Sequence, residues 1–204
     1  MADNWVVVAE GISDLKEFDG LKKHIRLAAA RAINKVSRDS RVEIARDILD
    51  QINFPAAYVA PSKKRLYVSQ QATTANLEGR ITARTRATSL ARFVQGSPRG
   101  GQGVSLEVTP GRSRFMKRAF LIKLPAGSAG VDTKFNMGLA IRLRPGETLK
   151  NKATARRMQK NLYLLYGPSV DQVFRANDGS GVATDKAPKI VNELEREFLR
   201  LLEI

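Results

Sequence analysis

The stretch "YLLYGPSVDQVF", residues 163–174, decides how the rest of the chain is read. Large apolar residues run as far as Tyr166, stop at Gly167-Pro168-Ser169, and resume as Val170-Asp171-Gln172-Val173-Phe174. Leu162 to Tyr166 is rich in aromatic and aliphatic side chains, which suits a pleated and largely buried strand. Gly167 and Pro168 end that strand, because glycine permits unusual backbone angles and proline cannot donate to a ladder. Ser169 has the side chain of a helix N-cap, and Gln172, three positions on, completes a possible capping box. The local expectation is an ordinary strand-to-helix corner, whose meaning depends on what surrounds it.

Upstream, the N-terminal third reads as helix. From Leu15 to Ile52 there is no proline, and the only glycine is Gly20. Leu21, Ile25, Ala28, Ala29, Ala32, Ile33 and Val36 recur at three- and four-residue spacing, the stripe of an amphipathic helix, and Val42, Ile44, Ile48, Leu49 and Ile52 continue it. Arg31, Lys35 and Arg38 mark the polar face. Ser37-Arg38-Asp39-Ser40 is a weak point, so the pattern fits one long helix or two joined near residue 38. Asn53-Phe54-Pro55 stops it, since the residue before proline is biased away from helical angles.

The middle is different in kind. Residues 65–68, 80–86, 103–109, 115–124 and 138–144 form short, partly alternating runs separated by Gly and Pro clusters, notably Ser97 to Gly103. Val104, Leu106 and Val108 share one face, as do Leu139, Ile141 and Leu143, so half-buried antiparallel strands are expected. Residues 87–93 suit a short helical turn. At the end, Ile190, Val191, Leu194, Phe198, Leu201 and Leu202 make one apolar stripe, more consistent with core than with a subunit contact, and Lys186-Ala187-Pro188 suits a first helical turn. The fold class is therefore α+β: a long N-terminal helix, a small antiparallel sheet and a C-terminal helix. The expected organisation is an N-terminal arm (1–14), an α+β domain (15–176), and a linker with the C-terminal helix (177–204).

Charge is the unusual property. The chain has 204 residues, 35 basic and 20 acidic, for a net of +15. Residues 1–62 are balanced and 161–204 carry −2, whereas 63–160 carry 21 basic and four acidic residues, a net of +17. Such a block is expected near a polyanion: nucleic acid, an acidic protein surface or anionic lipid. There is no cysteine, which excludes disulfides and thiolate metal sites. No apolar run approaches the roughly 20 residues that span a bilayer. The start, Met1 to Trp5, has no basic region and Val6 to Ala9 is short for a signal core, so neither export nor a membrane partner is expected.

Catalytic constellations are scarce. The single histidine, His24, sits on what reads as ordinary helix surface, and no Ser-His-Asp set or nucleophile elbow is present. "SPRGGQG" (97–103) lacks the Lys-Ser/Thr of a phosphate-binding loop and reads as a mobile loop. No enzyme, cofactor or metal is expected. The residues expected to face nucleic acid are Lys63, Lys64, Arg65, Arg84, Arg86, Arg99, Arg112, Arg114, Lys117 and Arg118, with Arg142, Arg144, Lys150, Lys152, Arg156, Arg157 and Lys160 continuing the series. Side chains of this kind hold phosphates without reading sequence. A solvated basic face, or one that meets an acidic protein, is equally compatible. No aromatic stacking signature is evident.

In order, "LAAARAINKVSRDSRVEIARDI", "GRITARTR", "GVSLEVTPG", "FMKRAFLI", "GLAIRLRPG" and "LYLLYGPSVDQVF" make residues 15–176 resemble the minor tail protein Z family of tailed bacteriophages, the tail-completion proteins. The resemblance implies a structural virion component rather than a catalyst. It would finish the head-proximal end of the tail and help join it to the head. Implied partners are a tail terminator or tube, a head-tail connector, and double-stranded DNA in the channel, with a homo-oligomeric ring as the assembly. The localisation implied is the virion neck or tail, with assembly in the host cytoplasm. Gly167, Pro168, Ser169 and Gln172 are then a structural corner that braces the sheet. A cellular, sequence-independent nucleic-acid-binding protein is the main alternative, and a purely protein-binding neck adaptor the second.

Overall fold

The computed structural model describes residues 23–96, 98, 102–124, 137–149, 151–175 and 182–202. The expected arm (1–14), most of the 97–103 loop with Arg99, and Lys150 lie outside them. The architecture is α+β, as the hydrophobic periodicities require. Two compact units share the chain. The first holds the described residues up to Ile48, Ala56–Thr85 and those from Val170 onward; the second holds Leu49–Pro55 and Arg86–Ser169. This division cuts across the expected 15–176 span.

In the first unit, α1 (Lys23–Gln51) is one uninterrupted helix of 29 residues, so the Ser37–Ser40 segment does not break it. Ser40 is buried and tolerated there. Of the expected stripe, Ala32, Ile33 and Val36 become core, joined by Ala30, which the spacing did not include; they pack with Ala72, Ile190 and Leu194, flanked by Leu77, Phe198 and Leu201, whereas Ile25 and Ala29 are half-buried. Ile44 and Ile48 fill the second half of the stripe and are fully buried. Val42, expected in the stripe, is 42% exposed, because it falls off the buried arc.

The partner helix is α3 (Val182–Leu201). Its stripe is core, with the exception of Val191, which faces solvent. Pro188 lies inside α3 rather than in its first turn. The helix starts earlier because Val182 and Ala183 are buried, and their burial offsets the i→i−4 hydrogen bond that proline removes. Ion pairs join the two helices at Lys189–Glu43 (2.7 Å) and Lys186–Asp47 (2.9 Å). Glu197, largely buried on α3, bonds Arg200 at 2.6 Å and Lys35 of α1 at 3.3 Å. Its carboxyl is held down to about 2, chiefly by the Arg200 hydrogen bond; desolvation opposes this and Lys35 adds to it.

A short antiparallel pair completes the first unit, β1 (Leu66–Gln70) with β2 (Arg80–Ala83), in register Leu66↔Ala83. It is tied to α1 by Arg41, a buried cation that the helical stripe did not suggest. Its Nε donates to the Leu66 carbonyl at 3.0 Å and its guanidinium also donates to the Val59 carbonyl. Burial lowers its pKa from the ordinary arginine value.

The second unit is built round β9 (Leu162–Gly167). One edge of β9 pairs with β7 (Met137–Arg142), which pairs in turn with β6 (Ala119–Lys123). The other edge carries β8 (Ala155–Gln159) and, at Tyr166 and Gly167, the two-residue β3 (Thr88–Ser89). Leu139 and Leu165 of this sheet pack with Ala91, Val104, Leu106 and Ala119. The last of these elements is a hairpin, β4 (Val104–Thr109) with β5 (Arg112–Met116), turning at Pro110-Gly111. The single strand expected over 115–124 is therefore two, split at Lys117-Arg118, because its halves pair with different partners. β8 was not expected at all: its side chains are nearly all exposed, so no apolar alternation announces it. Residues 87–93 become β3 and a 3-10 turn, Leu90–Phe93.

The opening corner is where the chain passes from the second unit to the first. Gly167 lies against the second unit's own side chains: a Cβ there would come within 2.9 Å of Leu90 Cδ2 and 3.3 Å of Phe93 Cε2. Ser169 is buried and α2 (Val170–Arg175) begins immediately after it. The amide of Asp171 donates to the Arg84 carbonyl at 3.1 Å, so backbone leaving β2 satisfies one of the first N–H groups of α2.

Two outcomes test this account. Ile44→Ala should destabilise the protein by about 2–5 kcal/mol in urea denaturation, the cost of a cavity in a closed core. A carboxyl with a depressed folded pKa adds stability above its unfolded pKa, and that stability is lost as pH falls through the folded value. Melting temperature should therefore fall between the ordinary glutamate range and pH about 2, and Glu197→Gln should flatten that part of the profile.

Candidate nucleic-acid interface

The second unit carries 16 basic and four acidic side chains, +12 of the chain's +15. Strand pairing displays part of this charge on the β4–β5 hairpin and on β8. In β4–β5, Leu106 is buried opposite Arg114, whereas every β5 residue from Arg112 to Phe115 is exposed. In β8–β9, Arg156 pairs with Leu164 and Arg157 with Tyr163, and both arginines are exposed along the sheet's outer strand. A strand hydrogen-bonded on one edge only is a place where cations remain hydrated while their backbone is held.

Beside the β4–β5 hairpin lies an open cleft of about 1090 Å³. Its floor is apolar, from Leu90, Leu106, Ile141 and Leu165, and its rim includes Arg112, Arg114, Lys117, Arg118 and Arg144. One carboxylate lines it, Glu147, and that group is already occupied. Arg118 donates to both of its oxygens, at 2.9 and 2.7 Å, and the Arg144 amide donates to one at 2.7 Å. These bonds lower the carboxyl's pKa, the Arg118 bond most, and the same bond raises that of Arg118. Arg112, Arg114 and Lys117 are the cations left facing outward on the hairpin. This arrangement can hold a line of phosphates without selecting a sequence.

The structure divides the ten expected cations. Arg112, Arg114, Lys117 and Arg118 come together round the cleft. Arg86 is exposed on the same unit, and Arg99 lies outside the described residues. Lys63, Lys64, Arg65 and Arg84 belong to the first unit. Lys63 and Lys64 are exposed there and Arg84 is half-buried, its amide donating to the Arg65 carbonyl at 2.8 Å. Arg65 is a correction. It is 3% exposed, donates to the Tyr58 carbonyl at 3.0 Å, and lies 3.9 Å from the centre of the Tyr58 ring, so it braces the fold and does not face a ligand. Its neighbours in "KKR" gave no sign that the third cation turns inward.

One aromatic residue stands exposed among these cations. Phe115 is 61% exposed in the middle of "RSRFMKR", the most exposed of the large apolar residues described. A large aromatic between four cations was the available signal. Among the described residues, His24 sits exposed on α1 and no group of three or more metal-ligating side chains occurs. Nor is any described helix long and apolar enough to cross a membrane.

Arg65→Ala should lower stability by about 2–4 kcal/mol, through the orphaned Tyr58 carbonyl and the lost ring contact. Lys63→Ala and Lys64→Ala should each stay within about 0.5 kcal/mol. Urea denaturation of the three variants checks the distinction between a bracing cation and two hydrated ones. No known protein family, curated protein or solved structure matches this chain.

Proposed function

We propose that this protein is a structural component of a phage virion, completing the head-proximal end of the tail and joining it to the head around the DNA channel. The observation that carries the reading is the concentration of charge in one unit: +12 on the second unit, part of it displayed by exposed cations on the β4–β5 hairpin and β8. A channel for double-stranded DNA needs a surface that tolerates a dense line of phosphates without gripping bases, and dispersed cations on paired strands meet that need. The sequence resemblance to tail-completion proteins supplies the virion setting. A homo-oligomeric ring and contacts with a tail terminator or tube and a head-tail connector belong to the same proposal. The second reading is a sequence-independent nucleic-acid-binding protein outside any virion, favoured by the open cationic cleft beside the β4–β5 hairpin.

Two experiments separate these readings. A tagged copy in purified particles should appear at the head–tail junction by electron microscopy; a tag absent from intact particles overturns the virion role. Duplex DNA binding should weaken steeply with salt, and the double variant Arg156→Glu, Arg157→Glu should lower affinity by about tenfold or more and make the salt slope shallower by about 2. Unchanged binding by that variant removes β8 from the interface.

A further inference from the structure

We infer that the cleft beside the β4–β5 hairpin receives the N-terminal segment of a second copy of this chain, Trp5 to Ala9 adding as a strand to the outer edge of β5. This contact rests on the homo-oligomeric assembly proposed above and names a surface that would hold it together. β5 belongs to a sheet of two strands, so β4 occupies one of its edges. Every residue from Arg112 to Arg118 lines the cleft. Side chains alternate between faces along a strand, so consecutive residues meet one cleft along the strand's edge. Arg112 to Phe115 are all exposed, whichever face they occupy. Such an edge offers N–H and C=O groups to an incoming strand. In the register, Leu106 and Arg114 share the face of the apolar floor, and Ser105 and Phe115 the opposite face. An added strand therefore lays one set of alternate side chains towards the floor. The other set lies beside Phe115, which is otherwise 61% exposed.

The sequence before α1 has the matching chemistry. Trp5-Val6-Val7-Val8 is a run of aromatic and β-branched residues, which favour strands, and it contains no proline. Asp3, Glu10 and Asp14 flank it, and no lysine or arginine occurs before Lys16. In a basic chain, this apolar and acidic stretch opposes the charge of the cleft rim. There Arg112, Arg114, Lys117 and Arg144 face one carboxylate, Glu147, which Arg118 already engages. A peptide strand uses the backbone edge, the floor and the rim together, whereas the phosphates of a duplex use the rim alone. Residues 9–22 would reach up to about 50 Å when extended, enough to pass from one copy to the next. Arg156 and Arg157 on β8 do not line this cleft and stay available to DNA.

The chain's lack of cysteine makes cross-linking a direct test. Tagged full-length chains carrying Val6→Cys, Val7→Cys or Val8→Cys are each co-expressed with an untagged full-length chain carrying Ser113→Cys. After gentle oxidation, non-reducing gels read the disulfide that joins tagged to untagged copies. Ser113 is exposed, and circular dichroism verifies that each variant folds. Neighbouring strand residues point to opposite faces, and a disulfide needs Cα atoms within about 7 Å. The expected pattern therefore alternates: cross-links form at Val7, or at Val6 and Val8, but not at both kinds of position. Arg114→Cys in place of Ser113→Cys should reverse that pattern. Asp3→Lys with Glu10→Lys should lower the cross-linked fraction by about fivefold or more, and Arg112→Glu with Arg114→Glu in the untagged chain should restore it. Equal cross-linking at all three positions, or none, overturns strand addition. A disulfide that forms only within a chain carrying both cysteines puts the segment in its own cleft and overturns the contact between copies. Light scattering of the wild type reads assembly separately. Oligomers without the disulfides overturn this contact and leave the assembly standing, whereas a chain that stays monomeric overturns the contact and the self-assembled ring together.

Discussion

Backbone pairing along both edges of β9 is the constraint on which the second unit depends. Leu162 to Leu165 pair with β7 on one side and β8 on the other, and Tyr166 and Gly167 go on to pair with β3. A strand used on both edges must be apolar on its buried face and cannot slip by one residue without turning that face outward. The register is thereby set for β7, for β6 beyond it, and for the outer strand β8. The same strand ends just before the chain returns to the first unit at Val170, and Gly167 keeps that end free of a Cβ where Leu90 and Phe93 press closest.

The first unit rests on a different device. Its core joins α1 and α3 through buried side chains, and its short β1–β2 hairpin is too small to hold itself in place. Arg41 and Arg65 supply the missing ties, donating to carbonyls of Tyr58, Val59 and Leu66. Burying a guanidinium is costly unless its donors are met, and arginine's planar fork can meet several carbonyls at once. The consequence for function is that basic residues in this chain do two separate jobs. In the first unit the cations include fold-bracing ones; in the second most are displayed.

Display follows from topology. β5 and β8 are each hydrogen-bonded to a neighbour and each carry cations on exposed positions, so the charges are held at backbone spacing rather than on wandering loops. Self-repulsion within such a surface destabilises a free protein slightly and favours any anionic partner that relieves it. The cleft beside β5 adds an apolar floor to that charge.

Much of this was legible in the amino-acid order. The α1 stripe, the α3 stripe, the strand at 162–166 and its corner, and the placement of the excess charge all rest on local periodicity and composition, which burial then only had to respect. What periodicity cannot encode is a partner. β8 has no apolar alternation and exists because β9 offers it an edge; β5 separates from β6 because two different strands claim them; Pro188 is carried inside α3 because Val182 and Ala183 are buried upstream. The same limit governed the site. Twenty-one cations between residues 63 and 160 look alike in sequence, and only tertiary packing turned Arg65 onto Tyr58, joined Arg118 to Glu147, and left Phe115 standing among the remaining charges. Local order determined which residues form helices and strands and how much charge they carry; long-range contact alone decided which of those charges are free to meet a ligand.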